Sequence, residues 1–342
     1  MACDGVADGP REPVTMTSGE RRLARFSWVT LALTLGVILW GAYVRASGSG
    51  AGCGSSWPMC NGQVIPRARS VQTVIEFTHR ATSGLALIAV VAQFVWARRV
   101  APAGGWLRKA AGAGLVLMLT EALVGGALVV FEHVAGDKSV ARAAWTALHL
   151  TNTFLLVAAL TLTSAWATRG APRSLRWPGT RGVLAVLAVV GTLLLGISGA
   201  ITALGDTLFR VGSLAEGIRQ DLAPTAHFLV RLRVIHPVLG LSLAVFLVST
   251  ATSFMGVDRG PVPPSTRRWT LATAGLALAQ VGLGFVNLGL LAPIPLQIAH
   301  LLMADFVWMS LIMTVATIAS EPQGATDTPA RLSSDANAPG RV

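Results

Sequence analysis

Charge is the first thing this sequence lacks. Asp, Glu, Lys and Arg make up 13% of its 342 residues, roughly half the share of a soluble domain, whereas 53% are hydrophobic and the mean hydropathy is positive. That excludes an ordinary soluble domain and leaves a polytopic membrane protein. Short segments of alternating hydrophobicity are also missing, which argues against a spanning barrel. Lipid gives the backbone no hydrogen-bond partners, so helices are the expected form. The polar N-terminal tail has neither an apolar core nor a small-residue cleavage site, so no cleavable signal peptide is expected.

What is there is a series of apolar runs, each long enough to cross a bilayer at about 20 residues. They begin near Phe26, Thr73, Leu107, Arg142, Arg181, Leu229, Arg267 and Pro293, which predicts an all-α membrane protein with eight transmembrane helices. Basic residues gather in the N-terminal tail (Arg11, Arg21, Arg22, Arg25) and in the second (Arg98, Arg99, Arg108, Lys109), fourth (Arg169, Arg173, Arg176, Arg181) and sixth (Arg259, Arg267, Arg268) connections. Those segments and both termini are therefore expected on the cytoplasmic side of the cell membrane. The fifth connection discriminates poorly, because Arg210, Arg219, Arg231 and Arg233 lie in or near it. The net charge of +11 is largely this inside bias and implies no nucleic-acid partner. Residues 1–25 read as a cytoplasmic tail, 169–180 as a cytoplasmic linker and 320–342 as a disordered cytoplasmic tail.

The helices repeat. "EFTHRATSGLAL" in helix two matches "RVIHPVLGLSLA" in helix six, and "ALHLTNTFLLV" in helix four matches "QIAHLLMADFV" in helix eight. Helix three, "TEALVGGALVVF", aligns with helix seven, "AQVGLGFVNLGL", pairing Glu121 with Gln280 and Gly125 with Gly284. The expectation is two tandem four-helix bundles, residues 26–168 and 181–319. Each has an even number of helices, so the two insert the same way up, related by a parallel pseudo-twofold axis along the membrane normal.

Depth gives the histidines their meaning. His79, His149, His236 and His300 each lie about six or seven residues past a helix start near the outer face, roughly 10 Å deep at 1.5 Å per residue. Even-numbered helices within one half are parallel, so their two histidines can face across the bundle and supply both axial ligands of one heme iron. For a single intramembrane histidine, a satisfied polar contact between helices is an equally good reading. A duplicated pair at matched depth argues against it, because ionisable residues in lipid are costly and generally functional. His133 and His227, in outer loops without counterparts, read as surface residues, with the lining of an entrance as the alternative.

The halves differ in their acids. Glu76 stands three residues before His79, on the same helical face, where Arg233 precedes His236. This suggests chemistry in the first half and a cofactor in the second, with Arg233 and Arg231 placed for heme propionates. The plainer role for Glu76 is a helix N-terminal acid paired with Arg80. Arg45, closing helix one, is another propionate candidate, and Asn152 and Gln297 are candidates to orient His149 and His300 from behind. Glu121 reads as a hydrogen-bonding group within the bundle or a proton-path residue. Cys53 and Cys60, in an outer loop of Gly, Ser, Trp and Pro, fit neither a zinc site nor heme c attachment. A structural disulfide and a redox-active pair both remain open for them. Cys3 has no evident role.

The "GCGSSWPMCNG" loop, the "EFTHR" motif opening helix two and the duplicated histidines together resemble the heme A synthase family of bacteria and mitochondria, from about Phe26 to Ala319. The resemblance implies oxidation of the C8 methyl of heme O to a formyl group through a hydroxymethyl intermediate, supplying heme A to terminal oxidases. It implies His79 and His149 as ligands of the substrate heme O iron, His236 and His300 as ligands of a heme b cofactor, and Glu76 as catalytic acid/base. A heme O synthase is the expected partner; the electron acceptor has no signature. Two rivals explain less. A diheme b-type electron carrier accounts for four histidines but gives no reason for Glu76 or the thiol loop, and a transporter predicts no tightly held heme.

Overall fold

A computed structural model of the chain describes residues 16–67, 70–176, 179–255 and 262–320. Cys3, Arg11, Arg259, residues 1–15 of the expected N-terminal tail and residues 321–342 of the expected C-terminal tail lie outside these residues. Among the described residues the protein is all helical, with eight helices long and apolar enough to cross a membrane.

Helix α1 spans Ser18–Ala46, α2 Val71–Val100, α3 Trp106–Val130 and α4 Val140–Arg169. The next four elements are α5, Gly179–Leu208, a short α6, Leu214–Asp221, a single turn α7, Phe228–Arg231, and α8, Ile235–Met255. Helices α9, Pro264–Gly289, and α10, Ile294–Ala319, complete the chain. α1 starts eight residues before the apolar run at Phe26 because Thr17 and Glu20 form a capping box. The Thr17 hydroxyl accepts the Glu20 N–H at 3.2 Å, and the Glu20 carboxylate accepts the Thr17 N–H at 2.8 Å, which satisfies two otherwise orphaned donors. Ser70, Ser139 and Ser213 cap α2, α4 and α6 in the same way from one side.

The sixth span, Phe228–Ser253, is not a uniform α-helix. A 3-10 turn, Leu232–Val234, separates α7 from α8. Pro237 supplies the reason: it has no N–H to donate to the carbonyl four residues back, at Arg233, so the turn before it tightens. His236 sits at this junction.

α1 packs on α2 and α4, and α3 on α2 and α4; α5 packs on α8 and α10, and α9 on α8 and α10. The two groups meet through α1 and α4 against α5 and α10. Lipid offers no hydrophobic gain for helix association, so close packing and interhelical hydrogen bonds must hold this seam. Trp308 of α10 is wholly buried, stacks on Phe154 of α4 at 5.3 Å between centroids, and donates its indole N–H to the Phe154 carbonyl at 2.6 Å. Nearer the disulfide-bearing end, Arg45 of α1 reaches Ala203 O and Thr207 Oγ1 on α5, both at 2.7 Å, and Gln297 Oε1 on α10 at 3.1 Å.

Candidate functional site

Each of the four intramembrane histidines rests on a glycine of the helix that precedes its own. His79 lies over Gly41 of α1, His149 over Gly125 of α3, His236 over Gly199 of α5 and His300 over Gly284 of α9. A Cβ added at these glycines would come within 2.9, 3.4, 2.9 and 3.1 Å of the respective rings, so a larger residue at Gly41 or Gly199 must push the imidazole away, one at Gly284 would crowd it, and one at Gly125 would only touch it. The missing side chain leaves the space that the ring fills. All four rings line one cavity of about 1520 Å³, larger than the roughly 300–1,000 Å³ of an ordinary small-molecule site.

His236 and His300 face each other with ring centroids 6.4 Å apart and planes at 84°. Two imidazoles on one metal, with bonds of about 2 Å on each side, would stand about 6 Å apart between centroids. Ser198 Oγ is 3.0 Å from His236 Nδ1, Gln280 Nε2 is 3.2 Å from His300 Nε2, and His300 Nδ1 is buried with no hydrogen-bond partner among the described residues. His79 Nδ1 is equally without one. Imidazole suits iron better than hard cations. Among the described residues no cluster of three or more His, Cys, Asp or Glu could hold a bare metal ion. The donor set therefore fits axial ligation of hemes.

The first half adds carboxylates. Glu121 of α3 has Oε1 3.3 Å from His149 Nδ1; Asn152 donates to its Oε2 at 2.6 Å, and Thr153 donates to Oε1. Glu76 is 3% exposed, with Oε1 2.5 Å from Arg80 Nη2 and Oε2 accepting the Cys53 N–H at 2.8 Å. Arg80 in turn donates to the carbonyls of Ser56, at 2.6 Å, and Met59. Cys53 and Cys60 form a disulfide buried at 0% and 1% exposure. Trp57, between them, lies over Gly126 of α3 and lines the cavity with Pro58. The pair Glu76 and Arg80 thus clamps a disulfide-closed flap across the mouth of the first half.

The family model for a cytochrome oxidase assembly protein, COX15-CtaA, matches residues 24–312, a stretch holding both flap cysteines, Glu76, Glu121 and all four histidines. The chain belongs to this cytochrome oxidase assembly family. Two proteins named "Protoheme IX farnesyltransferase", from two strains of Thermus thermophilus, are each 49% identical over 302 residues. The match takes in 88% of this chain and 49% of theirs, so the chain spans about half the length of these relatives. Proteins named "Heme A synthase" from Alkalihalophilus pseudofirmus and Geobacillus kaustophilus are 36% and 38% identical over 111 and 112 residues, 32% and 33% of this chain and 37% and 35% of theirs.

Within this assembly-family chain, several expected roles fall to other residues. Arg233, 9% exposed, lines the cavity and pairs with Asp221 at 2.9 Å, Asp206 at 3.2 Å and Gln220 Oε1 at 2.6 Å, so its charge is answered within the protein. Arg231 points away to the Pro224 carbonyl. Gln297 does not back His300: it accepts from Arg45 and donates to Ala292 O at 2.6 Å, and Gln280 stands beside that ring instead. Asn152 reaches His149 only through Glu121. Arg45 lines the cavity while tying α1 to α5 and α10. His133 lines the cavity mouth and bonds Asp137 at 2.9 Å. His227 caps α7, accepting the Leu229 N–H at 3.4 Å. The repeat marks Gly125 and Gly284 as a matched pair without showing that they seat rings, and Arg142, buried at 5% and donating to Asp137 O at 2.7 Å, carries no mark in the sequence pattern. Gly41 and Gly199 also repeat at nearly the spacing of His79 and His236.

Proposed function

We propose that this chain is a heme A synthase, oxidising the C8 methyl of heme O to a formyl group through a hydroxymethyl intermediate. The observation that carries the reading is one cavity with four imidazoles in which the first half sets Glu121 against His149 and Glu76 in the wall, whereas the second half's cavity carboxylates, Asp206 and Asp221, meet Arg233 away from its histidines. His79 and His149 would hold the substrate iron, and His236 and His300 a heme b, which when bound supplies one-electron transfer. We read residues 26–168 and 181–319 as parallel repeats of one bundle, on the matched glycine–histidine pairs and the matched pattern of helix neighbours. Basic residues in the second and fourth connections support cytoplasmic termini and heme sites near the outer face.

Taking a methyl to an aldehyde removes electrons and protons in steps, so the substrate side needs a proton acceptor and a negative group for charge developing at the porphyrin edge. Glu76 supplies both, held at the cavity wall by Arg80 and the Cys53 N–H. The flap with Trp57 keeps bulk water from the reacting carbon. Arg45 and Arg142 are the cations best placed at the cavity for propionates.

The "Protoheme IX farnesyltransferase" name belongs to relatives twice the matched length. Transfer from a prenyl diphosphate calls for Mg²⁺ on clustered oxygen ligands, whereas this cavity's carboxylates are dispersed, Glu76 on Arg80, Asp206 and Asp221 on Arg233 and Glu121 against His149, which favours oxidation over prenyl transfer for this chain. A heme O synthase is the natural partner, since a hydrophobic, reactive heme must be handed over.

The test is expression in cells that make heme O but no heme A, followed by extraction and identification of the hemes by chromatography and mass. Heme A or its hydroxymethyl precursor is expected, and Glu76→Ala should keep the second-half heme and stop product. Untouched heme O beside intact, heme-loaded protein would overturn the assignment in favour of a diheme carrier.

A further inference from the structure

The two ligand-bearing helices α4 and α10 differ in what stands behind their histidines. Behind His149 is the Glu121 carboxylate, a group that can only accept. Beside His300 is the Gln280 amide nitrogen, a group that can only donate, 3.2 Å from the other ring nitrogen, Nε2, and bonded to the His300 carbonyl at 3.1 Å, while Nδ1 has no partner among the described residues. Glu121 is itself fixed: Asn152 Nδ2 donates to it at 2.6 Å while the Asn152 carbonyl oxygen accepts from Thr120 at 2.7 Å, and Thr153 bonds its other oxygen. The positions three and four residues after His300 are Met303 and Ala304, so the second half has no such bracket. A network with this many members, half-buried in a membrane helix pair, costs desolvation and side-chain freedom that simple packing would avoid.

We propose that Glu121 is a positioning residue that sets the redox character of the first-half heme site through His149. Standing 3.3 Å from Nδ1, the carboxylate favours the tautomer that carries the proton on that nitrogen and leaves Nε2 free, and it makes the ring a stronger electron donor, as carboxylate-backed histidines do at metal sites. A more donating ligand favours the ferric iron, so the first-half site lies below the second-half site in midpoint potential. Gln280 gives His300 no such push. Asn152 holds the carboxylate in register, which is why that residue stands one helical turn from the ligand without touching its ring. This inference rests on the heme reading above.

Potentiometric titration of the full chain, purified from cells that make heme O, tests it, with the second-half centre assigned as the one lost in His236→Ala. Glu121→Gln is expected to raise the ferrous share of the first-half centre about tenfold at fixed potential, equal to about 59 mV for a one-electron couple, with the second-half centre unmoved. Gln280→Glu is expected to shift the second-half centre the opposite way by a similar factor. An unmoved first-half centre in Glu121→Gln, or equal shifts of both centres, overturns the proposal while leaving the heme A synthase reading intact. Should Glu121→Gln fail to accumulate, an unmoved second-half centre in Gln280→Glu overturns it alone. Wild-type protein without any first-half heme sinks both.

Discussion

The first and second halves of this protein place histidines on glycines in the same way and then diverge in everything polar around them. The first half closes its mouth with a disulfide flap pinned by Glu76 and Arg80, and it backs His149 with Glu121. The second half closes with α6 and the Arg233 cluster of Asp206, Asp221 and Gln220, and it backs His300 with Gln280. In the first half, carboxylates are directed at the cavity and the flap. In the second, Asp206 and Asp221 meet Arg233 as Glu76 meets Arg80, so the lasting difference is the carboxylate that stands against a histidine, Glu121. On the proposed heme A synthase reading, the difference means that the histidines specify what is held, while the neighbouring charges decide whether it is altered.

The sharpest way to break this comparison is through the supporting glycines. Gly199→Val should drive the His236 ring aside and abolish second-half heme, read as loss of part of the Soret absorbance, with the first half still loaded. Gly282→Ala, in α9 with nothing within 4 Å, should leave the spectrum unchanged and, if anything, gain up to about 1 kcal/mol of helix stability. Equal spectra for the two variants would remove the glycine–histidine pairing from the design.

A smaller effect is expected from Cys53→Ser. Opening so short a loop should cost about 2 kcal/mol and free the Cys53 N–H from Glu76, so product formation should fall while the second-half heme stays. Comparable loss of heme from both halves would show that the flap braces the whole molecule.

The smallest effect concerns the loop between α3 and α4. Burial pushes the Asp137 carboxyl upward, but hydrogen bonds from His133 and from the Ser139 N–H and hydroxyl outweigh it and hold the group below its usual range. A depressed carboxylate stabilises the fold above its unfolded pKa of about 3.9, and that contribution is lost as pH falls through the lower folded value. Acid unfolding of Asp137→Asn should therefore converge with wild type only below that range. The offset at neutral pH should stay within about 1 kcal/mol for so exposed a group; a larger gap would mean that the loop is part of the cavity wall in an energetic sense.

Much of the architecture was legible because its signals are local. Apolar length marks a span within one stretch of chain, and the histidines announce themselves because lipid tolerates few ionisable groups. The Thr17 to Glu20 capping box was also there to be read, and only the polarity of residues 18–25 hid the true start of α1. Pairings across the bundle were another matter. Arg233 looked like a free cation beside His236, since nothing nearby in sequence marks Asp206 and Asp221 as its partners. Gln297 looked well placed for His300 at a spacing of three residues, yet Arg45 arrives from α1 and takes its carbonyl oxygen. Glu121 could be matched with Gln280 by alignment, but not the direction in which each faces a ring.

By itself, then, the sequence determined the eight apolar helices, the place of four histidines within them and the confinement of the thiol pair to one loop, because hydropathy and helical period act over a few turns. The tertiary structure decided which glycine makes room for which ring, which carboxylate meets which cation and which amide or acid stands behind each histidine. Those choices depend on distances between helices far apart in the chain, and in a low-dielectric interior a shift of an ångström decides whether a charge is answered or left to act.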